Sequence, residues 1–225
     1  MAALTLSQMT ARLVKLDAAA VWDAGLVIVL AAFVISRLLL VAGNFRSFLA
    51  SPLLVLTLPS LNDTGVLLTA IFAVGYLWFK KLPLLAFLDA MAPCFALVWA
   101  FLSLGNILEG TKDGMPTSSI FSVGDAVSGR VHPVEFYMLL VAVVLCGVLI
   151  QMLPRRRHAG LGCALALVLA GAAIFVIDFL RLPSELFTAA MLDPVQWLGL
   201  AMILVGSALF IAFPADVQNG SPDAV

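Results

Sequence analysis

Long apolar blocks separated by short polar stretches dominate the chain, and neither strand-like alternation nor the one-sided stripe of a soluble helix accounts for them. A helix crossing the hydrocarbon of a bilayer needs about 20 apolar residues. Six blocks approach that length: residues 21–42, 65–79, 84–104, 134–153, 160–180 and 194–213. The second is short and stops at Lys80-Lys81; if it starts earlier, near Leu53, with a break at Pro59, then Pro59, Asn62 and Asp63 form a re-entrant or interfacial turn. The pattern predicts an all-α, polytopic integral membrane protein with about six transmembrane helices in one domain, residues 18–213, and no internal repeat. Residues 1–17 form an amphipathic segment with Arg12, Lys15 and Asp17 and no cleavable signal peptide. Residues 214–225 hold two acids and no base, which predicts a disordered tail.

Composition agrees with the pattern. With 63% hydrophobic residues, 11% charged and a mean hydropathy of +1.14, the chain has too little polar surface for a soluble domain of 225 residues. A net charge of −1 excludes a basic footprint for nucleic acid. Cys94, Cys146 and Cys163 lie one per apolar block, which fits small core hydrophobes better than a metal set or a disulfide framework; no metal or cofactor is expected. If the blocks alternate across the bilayer, Arg12, Lys15, Lys80, Lys81 and Arg155 to Arg157 share one side, against Arg46, Lys112, Arg130 and Arg181 on the other. The positive-inside rule then puts the N-terminus and the tail in the cytoplasm and the loop 105–132 outside.

That loop is long and polar, with Gly105-Asn106, Gly110, Gly114-Met115-Pro116-Thr117 and His132-Pro133-Val134-Glu135-Phe136-Tyr137 in or beside it. Glycines permit close backbone approach, and polar groups at a membrane boundary face a ligand or a water-filled cavity. Each residue also has a plainer reading. His132-Pro133 can simply start a helix, Glu135 favours that helix N-terminus electrostatically, and Tyr137 suits the interfacial aromatic belt. Arg37 can snorkel to the headgroups. Asp89 and Asp178 fall inside or at the end of apolar blocks, where acids are costly and therefore functional candidates, although an Asp178–Arg181 ion pair would explain the second.

Taken together, the order Gly105-Asn106, Gly110, Gly114-Met115-Pro116-Thr117 and His132-Pro133 to Tyr137 resembles the signature region of prolipoprotein diacylglyceryl transferases. Leu88-Asp89-Ala90-Met91-Ala92-Pro93 looks like that family's LDxxAP segment, Ile177-Asp178-Phe179-Leu180-Arg181 is similar to its I-E-F-x-R element, and Gln196-Trp197 with Met202-Ile203 resembles its last helix. The resemblance runs from about Arg12 onward. It implies helices around a lipid-accessible cleft in a bacterial inner membrane. It also implies transfer of the diacylglyceryl group of phosphatidylglycerol, or a similar phospholipid, to the lipobox cysteine of a preprolipoprotein, with release of glycerol phosphate. By the same resemblance His132, Tyr137 and Asp178 are catalytic candidates, while Gly105, Asn106, Gly110, Gly114, Thr117, Arg130 and Arg181 are substrate-binding candidates.

The departures from the family pattern are as informative. Ser103 stands where an arginine is expected, Thr64-Gly65-Val66 where HGG is expected, and Ala170 and Ile174 at the tyrosine and arginine of YGxxR. Met138 replaces a frequent glutamate, Asp178 replaces a glutamate, and the usual first span is lacking. Losing an arginine removes a charge-assisted, potentially bidentate phosphate contact. Arg37, Arg130 or Arg181 could supply a displaced charge. Two readings stay open: a divergent transferase acting on a lipid or acyl-carrier substrate with altered phosphate contacts, and a catalytically inactive homologue that binds phospholipid or a partner membrane protein. A channel or transporter fits poorly, given no repeated half and few intramembrane charges.

Overall fold

The computed structural model describes residues 2–45, 63–110, 114–118, 120, 122–125, 129–182 and 192–212. Its elements are α1 (Ala2–Leu13), α2 (Ala18–Gly43), α3 (Asp63–Phe79), α4 (Leu84–Glu109), β1 (Val123–Asp125), β2 (Gly129–Val131), α5 (Val134–Met152), a 3-10 turn (Leu153–Arg155), α6 (Leu161–Asp178) and α7 (Pro194–Ala212). Five of the helices are long and apolar enough to cross a membrane: α2, α4, α5 with its 3-10 extension, α6 and α7. The sixth block is the shorter α3, whose 17 residues reach only about 25 Å. The chain is a polytopic, all-α membrane protein. Asp63 is the first residue of α3, whereas Pro59, Asn62, Arg46, Lys112 and the tail 214–225 lie outside the described residues.

One boundary differs from the sequence reading. Helix α4 does not stop at Leu104 but continues to Glu109, so Gly105 and Asn106 are helical rather than part of the loop. Hydropathy marks where hydrocarbon ends, while the backbone stops where a residue takes a non-helical conformation; here Gly110 does so, with a φ of +78°. A β-carbon on Gly105 would meet nothing within 4 Å, so this glycine serves no close approach.

Two compact units divide the chain within α4: Met1–Phe87 and Leu88–Val225. In the first, α2 packs against α1 and α3. The side-chain oxygen of Asp17 accepts a hydrogen bond from the Ala19 amide at 3.1 Å and caps α2. Lys15 and Lys81, with φ of 61° and 56°, occupy left-handed positions just after α1 and α3.

In the second unit α6 packs most closely on α7, and small residues allow it. A β-carbon on Gly171 would stand 2.6 Å from the Gly199 carbonyl oxygen, and one on Gly206 2.8 Å from that of Ala164. The thiol of Cys146 on α5 donates to the carbonyl oxygen of Pro93 inside α4 at 3.4 Å. Cys94 and Cys146 are buried, as expected of core residues, and Cys163 is partly exposed.

Asp89 proves to be architectural. Its side chain is completely buried and forms an ion pair with Arg156, and it also accepts hydrogen bonds from the Gly160 and Cys163 amides, both at 2.8 Å. Those amides open α6, where free N–H groups and the helix dipole favour a negative charge. The acid therefore latches α4 to the turn between α5 and α6, and its bonding capacity is used within the fold.

Candidate functional site

At the other end of these helices a second polar cluster forms around Glu135. This residue lies in the first turn of α5 and is buried, with 7% of its surface exposed. Asn106, near the end of α4, donates from its side-chain nitrogen to one carboxylate oxygen at 3.1 Å. Arg181, just past α6, donates from Nη2 to the other at 2.7 Å. Three helix ends far apart in sequence thus meet on one carboxylate. The ion pair expected between Asp178 and Arg181 is absent: Arg181 pairs with Glu135, and its tie to Asp178 runs from its backbone amide to the Asp178 carbonyl oxygen at 3.0 Å.

The backbone beside the cluster is fixed by an extended segment, residues 114–117. The Met115 amide donates to Leu180 at 2.8 Å, the His132 amide to Met115 at 3.0 Å, and the Thr117 amide to Arg130 at 2.7 Å. Gly114 bridges to Arg181, and Pro116 to Val131. A β-carbon on Gly114 would collide with the carbonyl oxygen of His132 and lie 2.8 Å from its carbonyl carbon, so here the close-approach reading of a loop glycine holds. Beyond it, β1 and β2 pair antiparallel with Val123 opposite Val131.

His132 and Tyr137 face each other, with ring centroids 6.3 Å apart and planes tilted by 55°. Tyr137 packs on the buried Val134, Met138 and Ile177, which tie α5 to α6. Nδ1 of His132 and Nε of Arg181 are buried without a hydrogen-bond partner. Asp178 is buried at the end of α6 and lines a small cavity of about 100 Å³ with Met115, Phe179, Arg181, Leu182, Asp193 and Gln196. Asp193 and Gln196 also cap α7: the Asp193 side chain accepts from the Val195 amide at 3.3 Å, and its amide donates to Gln196 at 3.2 Å.

The structure therefore brings together Asn106, Gly114, His132, Tyr137, Asp178 and Arg181. It places Gly105 inside α4, makes Gly110 the terminator of that helix, uses the Thr117 backbone as a strand contact, and leaves Arg130 exposed on β2. Glu135 is the member that sequence reasoning assigned only to the helix N-terminus.

A separate cavity of about 530 Å³ lies between α4, α6 and α7, with Leu145 of α5 on its wall, and none of the polar residues of the cluster line it. Asn106, His132, Tyr137 and Asp178 are not among the residues that line this apolar cavity. Ala170 and Ile174, at the positions of the family's tyrosine and arginine, are part of its wall. Ser103 is buried on α4 with 2% exposure. Among the described residues, no set of three or more His, Cys, Asp or Glu side chains could hold a metal ion.

Comparison with known proteins bears on this arrangement. A family model for prolipoprotein diacylglyceryl transferase matches residues 1–212. The phosphatidylglycerol–prolipoprotein diacylglyceryl transferase of Bordetella parapertussis is 33% identical over 138 residues, covering 59% of this chain and 53% of its own length. The protein of the same name from Polynucleobacter asymbioticus is 30% identical over 172 residues, covering 71% of this chain and 64% of its own. The chain thus spans about half the length of the Bordetella relative and somewhat under two thirds of the other. With the membrane-spanning helices and a match extending over nearly the whole sequence, the chain belongs to the prolipoprotein diacylglyceryl transferase family.

Proposed function

We propose that this chain is a divergent diacylglyceryl transferase-like protein of the bacterial inner membrane, acting in lipoprotein modification with its N-terminus in the cytoplasm. Its donor in this reading is a membrane glycerophospholipid of the phosphatidylglycerol type, and its acceptor the lipobox cysteine of a preprolipoprotein. The observation that carries the reading is the meeting of residues at family motif positions, Asn106, His132, Tyr137 and Arg181, around one buried carboxylate and the strand 114–117. The thiol sulfur bonds to the diacylglyceryl carbon as the bond from that carbon to the phosphate oxygen breaks. The electron pair leaves with glycerol phosphate. His132, whose Nδ1 has no partner, takes the thiol proton, while the Tyr137 ring packs beside the imidazole and Asp178 is the remaining catalytic candidate.

A specific observation favours the second reading, a catalytically inactive homologue that binds phospholipid or a partner membrane protein. The guanidinium bonded into the cluster is neutralised by Glu135, and Ser103, Ala170 and Ile174 offer no charge to a phosphate. Each lost charged contact is worth about 1.5–3 kcal/mol. Two such losses slow turnover by about a hundredfold or more. We therefore expect expression of this chain not to restore growth to a bacterium depleted of its own transferase. Mass spectrometry of a lipobox peptide incubated with purified protein and phospholipid vesicles separates the readings. A slowly formed diacylglyceryl thioether supports the transferase, and retained lipid with an unmodified peptide supports the inactive homologue. Full rescue of growth would contradict the argument from missing charge.

A further inference from the structure

We propose that the apolar cavity between α4, α6 and α7 seats one acyl chain of a membrane phospholipid, with the glycerol end of that lipid directed toward the polar cluster. The inference rests on the lipid-binding part of the reading above, which both of its versions share, and adds which part of the lipid the fold grips.

The cavity, about 530 Å³ in volume, is walled by one stripe from each of its two main helices. On α4, Leu88, Phe95 and Leu102 recur at the spacing that keeps to one face, and on α6 Cys163, Ala170 and Ile174 do the same. Among the described residues, none that lines it is charged. A cavity of this kind stays dry. The helices that form it are long and apolar enough to span the bilayer, so the material at hand to fill it is hydrocarbon. Phe95 and Leu102 are each 63% exposed, which gives a chain sideways entry. Size decides between a lipid chain and a partner helix. Leu88 and Leu102 stand fourteen residues apart, about 21 Å along α4, which gives the cavity a mean cross-section of about 25 Å². Carbon atoms in contact lie about 4 Å apart, so one hydrocarbon chain needs under about 20 Å². A helix about 10 Å across needs about 80 Å². The two ends of the cavity also differ. At one, the Cys163 amide donates to Asp89 at 2.8 Å, so the wall runs into the latch between α4 and α6. At the other, the next positions on the two stripes, four residues beyond Leu102 and Ile174, are Asn106 and Asp178. A chain lying along the cavity therefore leaves its ester end one helical turn from the polar cluster. Ala170 and Ile174 suit this use, because the tyrosine and arginine of the family pattern would bring a hydroxyl and a guanidinium to a hydrocarbon wall.

The test uses the whole protein in phosphatidylcholine vesicles that contain a phosphatidylglycerol with a diazirine midway along one acyl chain; after irradiation, peptide mass spectrometry locates the label. Label should concentrate on Phe95, Ile174 and Met202, about fivefold or more above Leu140, Val143 and Val144, the exposed face of α5. Filling the cavity with Ala166→Trp should remove the wall label and keep that on α5, whereas Val144→Trp, outside the cavity, should leave the wall label unchanged. Wild-type label no higher on the wall than on the α5 face, a measurement that needs no variant to fold, overturns the proposal. Wall label that persists in folded Ala166→Trp does the same. An unlabelled wall, with a benzophenone in place of the Ile174 side chain cross-linking a second polypeptide, would give the cavity to a partner helix and overturn it too. Phosphatidylglycerol retained by the purified protein in native mass spectrometry, but without wall label, sinks this proposal alone. Neither retained lipid nor wall label sinks the lipid-binding reading with it.

Discussion

Replacing Asp89 by alanine should be among the most damaging single changes in the second unit, although the residue lies at the opposite end of α4 from the polar cluster. The carboxylate is completely buried and serves three donors: the Arg156 guanidinium and the Gly160 and Cys163 amides. Its removal takes the carboxylate partner from a guanidinium that is only 16% exposed and the acceptor from two amides at the start of α6. Breaking a buried pair by deleting one partner costs about 3–5 kcal/mol, because the remaining charge stays desolvated. Equilibrium unfolding in mixed micelles with rising SDS measures the loss. The double variant Asp89→Ala with Arg156→Ala removes both halves of the ion pair, so it should cost less than the sum of the single changes, by more than about 1 kcal/mol. Refutation would come from Asp89→Ala unfolding within about 1 kcal/mol of wild type, or from strict additivity in the double variant.

Gly114→Ala should push the 114–117 segment away from His132, since the new methyl group collides with its carbonyl oxygen; hydrogen exchange at the Met115, Thr117 and His132 amides should accelerate about tenfold or more, and unchanged exchange would speak against the close approach. Ser118, exposed in the loop, should react as a cysteine with a membrane-impermeant maleimide added to intact spheroplasts; reaction only from the cytoplasmic face would reverse the orientation derived from lysine and arginine.

The spans were legible because a block of apolar residues has few other solutions in a chain this poor in charge. Helices α5, α6 and α7 start and stop within two residues of the blocks read for them. The C-terminal end of α4 was not legible by the same means, because hydropathy says nothing about a helix that continues past the hydrocarbon. Single residues fared unevenly. Gly114 was readable as a close approach, while Gly105, in the same polar stretch, meets nothing. Asp89 and Asp178 were both flagged as costly acids, yet only the partners separate their roles, and those of Asp89 lie 67 and more residues away. Glu135 was hidden for the same reason, its partners being 29 and 46 residues distant. A signal did exist: in an alternating topology the end of α4, the start of α5 and the end of α6 share one face, and each carries a polar residue able to complement the others.

Helix α4 is held by polar bonds near both of its ends, at Asp89 on one side and Asn106 on the other. They are seventeen residues apart, about 25 Å along a helix axis and less than the roughly 30 Å of a typical hydrocarbon core. A transmembrane helix ordinarily meets a change in bilayer thickness by sliding or tilting. Here α4 cannot slide or tilt on its own without pulling on one of the two tethers, both of which bind it to α5 and α6 or the turn between them. A change in bilayer thickness is therefore met by α4, α5 and α6 as a group, through a shared tilt or through the lipid beside them, and not by a single helix.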